Sequence, residues 1–163
     1  MILIQSGYIF LVNSSPSWSV DWAWGLPLIV LTVLTHVFGL SFIRERVIRA
    51  FNQIGQRRHP TVVFVTIVGA ATLSATILHA GEASIWASAY KFLGALPNYK
   101  IALLYSLNAI TSYGHTNVNL DDHWHLMGAL EALNGWLLFG LSTAFLFAVI
   151  EKVWSVDSRV ERT

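Results

Sequence analysis

Three stretches of the chain carry no charged residue and are each long enough to cross a membrane: 22–43, 59–81 and 132–150. About 20 helical residues cover the ~30 Å hydrocarbon core of a bilayer, since each residue adds ~1.5 Å. Of the 163 residues, 55% are apolar and 12% are charged, whereas a soluble domain carries about 25% charged residues. These features predict an all-α membrane protein with three transmembrane helices, near residues 22–43, 61–80 and 126–150.

A fourth uncharged stretch, 101–120, differs from the other three because only its first half is mostly apolar. That half is about ten residues long, which is too short to span a bilayer. The second half is polar and contains Gly114, and non-helical backbone is tolerated at membrane depth only where protein buries it or where it lines a water-filled cavity. We therefore predict a re-entrant pore helix and a polar loop between the second and third spans.

The distribution of basic residues favours three spans over four. Residues 44–60 contain five arginines and residues 151–163 contain three basic residues. With three spans and a re-entrant segment these eight residues share one side, as the positive-inside rule requires. The N-terminus is then outside and the C-terminus cytoplasmic. The predicted order is an outer N-terminal segment (1–21), a first transmembrane helix (22–43), a cytoplasmic basic loop (44–60), a domain of two spans and the re-entrant segment (61–150), and a short cytoplasmic tail (151–163). Within the basic loop we expect a helix end, a turn near Gly55 and a new helix from Pro60.

Three segments carry a resemblance to a known family. Residues 79–96 look like the outer helix and turret of a bacterial group of small channels, often labelled two-pore-domain-like potassium channels. Residues 99–114 resemble the pore helix and filter of that group, and residues 126–150 resemble its inner helix. The resemblance implies a homotetramer in the bilayer of a bacterial inner membrane, because each chain has a single pore loop. It also implies permeant monovalent cations such as K⁺ or Na⁺ and no other cofactor.

The filter of that family follows the pattern Thr-Val-Gly-Tyr-Gly-Asp, and residues 110–115 of this chain, Ile-Thr-Ser-Tyr-Gly-His, match it in part. The implied filter residues are Thr111, Ser112, Tyr113 and Gly114. Ser112 replaces the first glycine, and an L-residue in the left-handed conformation costs roughly 1–2 kcal/mol. Ile110 stands in place of a threonine, and His115 replaces an acidic residue. These departures lead us to expect a cation pathway that is weakly selective, or selective for an ion other than potassium, with a wider or shorter filter.

The segment after the filter is rich in histidine and aspartate. Asp121 and Asp122 are expected at the outer mouth, and His115, His123 and His125 are candidate ligands for an external divalent metal, because imidazole and carboxylate suit such ions. A solvated loop explains the same residues equally well.

Four polar residues in apolar surroundings are predicted to brace the pore helix: His79, Glu82, Asn108 and Glu131. His79 and Glu82 share a helix face because they lie three residues apart, so they are expected to hydrogen-bond either the pore helix or each other. Proton sensing through His79 is an alternative, since histidine titrates near neutral pH. Glu131 could instead contact the outer filter or pair with a lysine. His36 is expected to be a hydrogen-bonded histidine between helices.

The last span contains Gly135 and Gly140, which are interpreted either as hinges of an opening helix or as sites of close helix packing. Stepping by three or four residues from Gly135 gives one stripe that contains Leu138 or Phe139, then Ser142, Leu146 and Val149. We predict that this stripe lines the cavity of the pore, with a hydrophobic constriction formed by Leu146 and Val149.

Other classes of function find little support in the sequence. The chain has no cysteine, so thiol chemistry and thiolate metal sites are excluded. It shows no metalloprotease motif, nucleophile elbow or phosphate-binding loop, and we predict that it is not an enzyme. No basic stripe with interleaved aromatic residues indicates nucleic acid. The alternative to a channel is a non-conducting membrane protein that uses the same architecture for assembly or for metal or proton sensing.

Overall fold

The computed structural model describes residues 18–54, 60–114 and 118–160, and it is all-helical over these ranges. Its helices are α1 (Trp18–Ile54), α2 (Pro60–Phe92), α3 (Tyr99–Ile110) and α4 (His125–Val160), with a one-turn 3₁₀ helix at Asp122–Trp124 before α4. Most of the predicted N-terminal segment, the turn near Gly55, His115 and the last three residues lie outside the described residues.

Three of the helices are long and apolar enough to cross a membrane: Trp18–Phe51, Thr61–Phe92 and His125–Val153. This confirms the prediction of an all-α protein with three candidate transmembrane helices, compatible with a multi-pass membrane protein. Each helix runs beyond its charge-free stretch. α1 continues through residues 44–54 of the basic segment, where Glu45 and Arg49 form an exposed ion pair of 2.9 Å one turn apart, and α2 begins at Pro60, a favourable first helical residue.

The fourth helix, α3, has 12 residues and is about 18 Å long, so it is too short to span a bilayer. Asn98 caps its N-terminus, because its side-chain oxygen accepts a hydrogen bond of 2.9 Å from the Ile101 N–H. α3 packs against both α2 and α4 through a buried face that includes Ala102, Tyr105 and Ala109.

The core has an aromatic part around α3 and an aliphatic part between the three long helices. Trp86, Tyr90 and Met127 are fully buried in the aromatic part, where the rings of Tyr90 and Tyr105 meet edge to face at 5.4 Å. In the aliphatic part, buried side chains such as Leu40 of α1 pack against those of α2 and α4. The long helices are thereby held together along their length, and α3 is fixed beside them.

Candidate functional site

The C-terminal end of α3 is closed by its own backbone. The Ser112 N–H donates to the Ala109 carbonyl at 2.9 Å, and the Tyr113 N–H donates to the Asn108 carbonyl at 3.0 Å. This pair of hydrogen bonds, with a left-handed residue at Ser112, is the Schellman arrangement that ends many helices. The segment predicted to be the filter therefore starts as a compact turn.

Ser112 has a φ of 54° and is therefore left-handed, as is expected of the position that glycine holds in a potassium filter. It is the one non-glycine residue of positive φ in the described ranges. Gly114 follows with a φ of 94°. The Trp136 indole N–H of α4 donates to the Ser112 hydroxyl at 3.0 Å. This hydrogen bond ties the turn to α4 and offsets part of the conformational cost of a serine at this position.

All four predicted filter residues are exposed in the single chain: Thr111, Ser112, Tyr113 and Gly114. Tyr113 keeps 80% of its surface accessible. The described residues thus leave much of this turn uncovered.

Gly135 is the point at which α4 approaches the end of α3 most closely. A methyl group at this position would collide with the Ile110 backbone carbonyl. Gly135 lies ten residues after the start of α4 at His125, about 15 Å along the helix. Its environment is that of close packing and not of a free hinge, whereas a methyl group at Gly140 would meet nothing within 4 Å.

Glu131 lies at the centre of a buried polar network between α2, α3 and α4. The Tyr90 hydroxyl donates to its carboxylate at 2.8 Å, and the Ser106 hydroxyl of α3 lies in hydrogen-bond contact with the same carboxylate and 2.8 Å from the Ala83 carbonyl. Glu131 is fully buried. It contacts α3 directly, as a bracing residue would, and its partners are hydroxyl groups and not a lysine.

Sequence reasoning missed Tyr90 and Ser106. In the sequence, each of these residues is marked only by a hydroxyl group within an apolar segment. Many serines that face lipid have the same surroundings, so this pattern does not identify a buried partner of Glu131. Asn108, also predicted to brace the helix, is half-buried and contributes the carbonyl that accepts from Tyr113.

A second buried network joins the three long helices. His36 Nδ1 of α1 lies 2.7 Å from Glu82 Oε1, and His79 Nδ1 lies 3.3 Å from Glu82 Oε2. The Ser142 hydroxyl of α4 lies 3.1 Å from His36 Nε2 and 3.0 Å from His79 Nε2. His36 is the predicted interhelical histidine. His79 and Glu82 contact each other, which was one of the two expectations for them. Their other polar contacts go to α1 and α4, and none to α3 is seen within the described ranges, which corrects the expectation that they brace the short helix.

The same contacts correct the predicted stripe on α4. Ser142, Leu138 and Val149 are buried within the chain, and Leu146 is partly buried against α1 and α2. The stripe therefore packs against the other helices of the same chain. The exposed face of α4 includes instead Leu133, Trp136, Leu137, Gly140, Leu141 and Phe147.

The predicted external metal ligands do not come together in the described residues. Asp121 and His123 are exposed, His125 Nε2 donates to the Leu120 carbonyl at 2.9 Å, and His115 and the Asp122 side chain lie outside the described part. Within the described ranges, the group of three or more metal-ligating side chains that does converge is His36, His79 and Glu82.

The three long apolar helices are compatible with a multi-pass membrane protein, in which the short helix α3 packs against α2 and α4. Comparisons with protein-family models, with curated proteins and with solved structures find no match for this chain. Its function must therefore be argued from its own residues.

Proposed function

We propose that this chain is the subunit of a tetrameric cation channel of weak selectivity, in which α3 is a re-entrant pore helix and residues 111–114 form the constriction. The observation that carries the proposal is the exposure of an irregular, polar backbone turn beside the middle of a spanning helix.

The depth of the turn follows from Gly135. The Ile110 carbonyl rests on this glycine, which lies four residues, or about 6 Å, from Phe139, the middle residue of the candidate span His125–Val153. This position is well inside a hydrocarbon core that is ~30 Å thick. The non-helical residues that follow Ile110 are therefore expected near mid-membrane, where exposed peptide groups are not tolerated against lipid. They need either water or protein around them.

Four copies around an axis meet that need. Each copy would place its turn, with Thr111 and Ser112, against a shared aqueous path, and the neighbouring copy would cover the exposed ring of Tyr113 and the apolar side chains of Leu104 and Leu107 beside it. The C-terminal end of α3 would point at the axis. The partial negative charge of a helix C-terminus favours cations there.

The shape of the turn supports weak selectivity. A potassium filter replaces the water of the ion with several successive layers of backbone carbonyl groups. Here Ser112 and Tyr113 use their N–H groups to fold back onto α3, so the backbone is compact over these residues and not extended along an axis. A compact turn provides fewer carbonyl layers, which is expected to leave the cation partly hydrated and to reduce the discrimination between K⁺ and Na⁺.

Because the chain has no cysteine, a single introduced thiol can test the pathway. The protein is reconstituted in liposomes, cation flux is measured, and a cationic methanethiosulfonate reagent is applied to Thr111→Cys. We expect flux in the unmodified protein and its loss after modification. The matched control is Phe92→Cys, at the end of α2, where the native side chain is 79% exposed and modification should leave flux unchanged.

Absence of flux from monodisperse, tetrameric wild-type protein would refute the proposal and would favour a non-conducting protein. Complete modification of Thr111→Cys with no change in flux would refute the assignment of the constriction. A reversal potential that follows the potassium gradient alone, with Na⁺ present, would refute weak selectivity and leave the channel itself supported.

A further inference from the structure

The second buried network has the composition of a metal site. His36, His79 and Glu82 each offer one ligand atom, and these atoms all lie within 4.8 Å of one another. Two imidazoles and one carboxylate form a set found at three-ligand zinc centres that keep a fourth position open. His36 lies near the middle of the candidate span Trp18–Phe51, and Glu82 and His79 contact it from α2; ionisable side chains at such depth are costly and are retained for a function.

One oxygen of this cluster accepts no hydrogen bond within the described part of the chain. Glu82 is fully buried, and this oxygen is its Oε2. His79 Nδ1 lies 3.3 Å from it, a contact that is an ion pair only if His79 is protonated. Ligand atoms at about 2.0–2.1 Å from a tetrahedral zinc ion are roughly 3.3–3.4 Å apart, so this separation already matches one edge of a zinc coordination tetrahedron.

The hydrogens around Ser142 fit the same interpretation. A metal-bound imidazole is neutral and carries its proton on the other ring nitrogen, which donates to a supporting acceptor. If both Nδ1 atoms bind the ion, both Nε2–H groups point at the Ser142 hydroxyl oxygen, at 3.1 Å for His36 and 3.0 Å for His79. A hydroxyl oxygen has two lone pairs and can accept both hydrogen bonds. Without an ion, the same ring of contacts needs one further proton, carried by a histidine or by Glu82.

We propose that His36, His79 and Glu82 bind a divalent first-row transition metal ion, of which Zn²⁺ is the representative, with Ser142 as the residue that orients both histidines. His36 Nδ1 would exchange its 2.7 Å contact with Glu82 Oε1 for a bond to the ion, and water would complete the coordination. Mg²⁺ and Ca²⁺ do not suit the set, since they prefer six or more oxygen ligands. The ion would bridge α1 and α2 and, through Ser142, hold α4. This site is separate from the proposed constriction.

Metal binding by the full-length protein tests the proposal. The protein is purified in detergent with a tag that contains no histidine, stripped with a chelator and titrated with Zn²⁺. We expect one tightly bound Zn²⁺ per chain and a rise in Tm of about 5 °C or more at 100-fold excess over Kd. Co²⁺ in place of Zn²⁺ should give the visible absorption of a four-coordinate ion with nitrogen and oxygen ligands.

Glu82→Gln keeps the shape of the side chain and removes its charge, and His79→Gln removes a ligand that is 27% exposed. We expect each substitution to weaken Zn²⁺ binding by at least about tenfold. Tenfold is the lower end of the loss in metal affinity that follows when a residue hydrogen-bonded to a metal ligand is replaced. The matched controls are Glu151→Gln and His123→Gln, whose native side chains are exposed and whose substitution should leave the affinity unchanged. Monodisperse elution of each variant establishes that it is folded.

Zinc content of Glu82→Gln equal to that of the wild type would overturn the proposal, because the ion would then be bound elsewhere. Folded wild-type protein that stays free of metal at micromolar Zn²⁺ would overturn it as well. Neither result depends on ion flux, so a metal site in a protein without flux would refute only the channel, and flux without metal binding would refute only the site.

Discussion

The contact between Gly135 and the end of α3 allows a sharp test, because α4 carries a matched glycine five residues later. Gly135→Ala directs a methyl group at the Ile110 carbonyl, which is backbone and cannot move aside as a flexible side chain would. Overpacking of this kind costs about 1–3 kcal/mol. Gly140→Ala meets nothing within 4 Å, so it should gain the ~0.5–1 kcal/mol by which alanine exceeds glycine in a helix.

The two substitutions should therefore change the free energy of unfolding in opposite directions. For a chain of this size, 1 kcal/mol corresponds to about 2–4 °C in Tm, so thermal unfolding in detergent should separate the two variants by roughly 3 °C or more. Gly135→Ala should also alter ion flux, since Ile110 leads into the proposed constriction. Equal or higher stability of Gly135→Ala relative to Gly140→Ala would show that the close approach of α3 and α4 is not present.

Three further predictions concern the ends and supports of α3. Tyr90→Phe removes a hydrogen-bond donor from the buried Glu131 carboxylate and should lower the free energy of unfolding by about 1–3 kcal/mol. Its control, Tyr99→Phe, lies at an exposed position and should stay within about 0.5 kcal/mol of the wild type. Similar unfolding temperatures for the two variants would contradict the network around Glu131. Asn98→Ala should cost about 1 kcal/mol through loss of the N-cap, with recovery in Asn98→Asp; a loss of equal size in both variants would exclude capping as the cause. Ser112→Gly should be more stable in thermal unfolding than Ser112→Ala by about 1 kcal/mol, because glycine takes the left-handed conformation freely; the reverse order would argue against the positive φ.

The candidate spans were predictable from sequence because charge is excluded from the hydrocarbon core whatever the fold. The residues at which the helices end were harder to predict. Charged residues mark where a span leaves the hydrocarbon core, but they do not mark where the helix ends. Residues such as Glu45 and Arg49 have high helix propensity in water, and α1 accordingly continues to Ile54. The position of α3 followed from the switch between apolar and polar residues near Ile110.

The partners of the buried polar residues could not be predicted in the same way. In a soluble helix, apolar periodicity shows which face is buried, but the spans of this chain are apolar on every face, so the sequence does not fix their rotation. The stripe chosen from Gly135 therefore placed Ser142 in a cavity, whereas it lies between His36 and His79. His36 and Glu82 are in contact although they lie 46 positions apart in the sequence. No local sequence pattern indicates such a pair.

The length of α1 also bears on the depth at which the protein sits in a bilayer. The helix has 37 residues, about 55 Å, nearly twice the hydrocarbon thickness, so its ends cannot fix its vertical position. Trp22 and Arg44 are better markers, because indole rings settle at the interface and arginines extend to it, and they are 22 residues, or about 33 Å, apart. In a thinner membrane α1 would have to tilt until this spacing fits. Since His36 and Glu82 join α1 to α2, such a tilt would carry the neighbouring helix with it, and bilayer thickness would act on the whole helical assembly and not on one span alone.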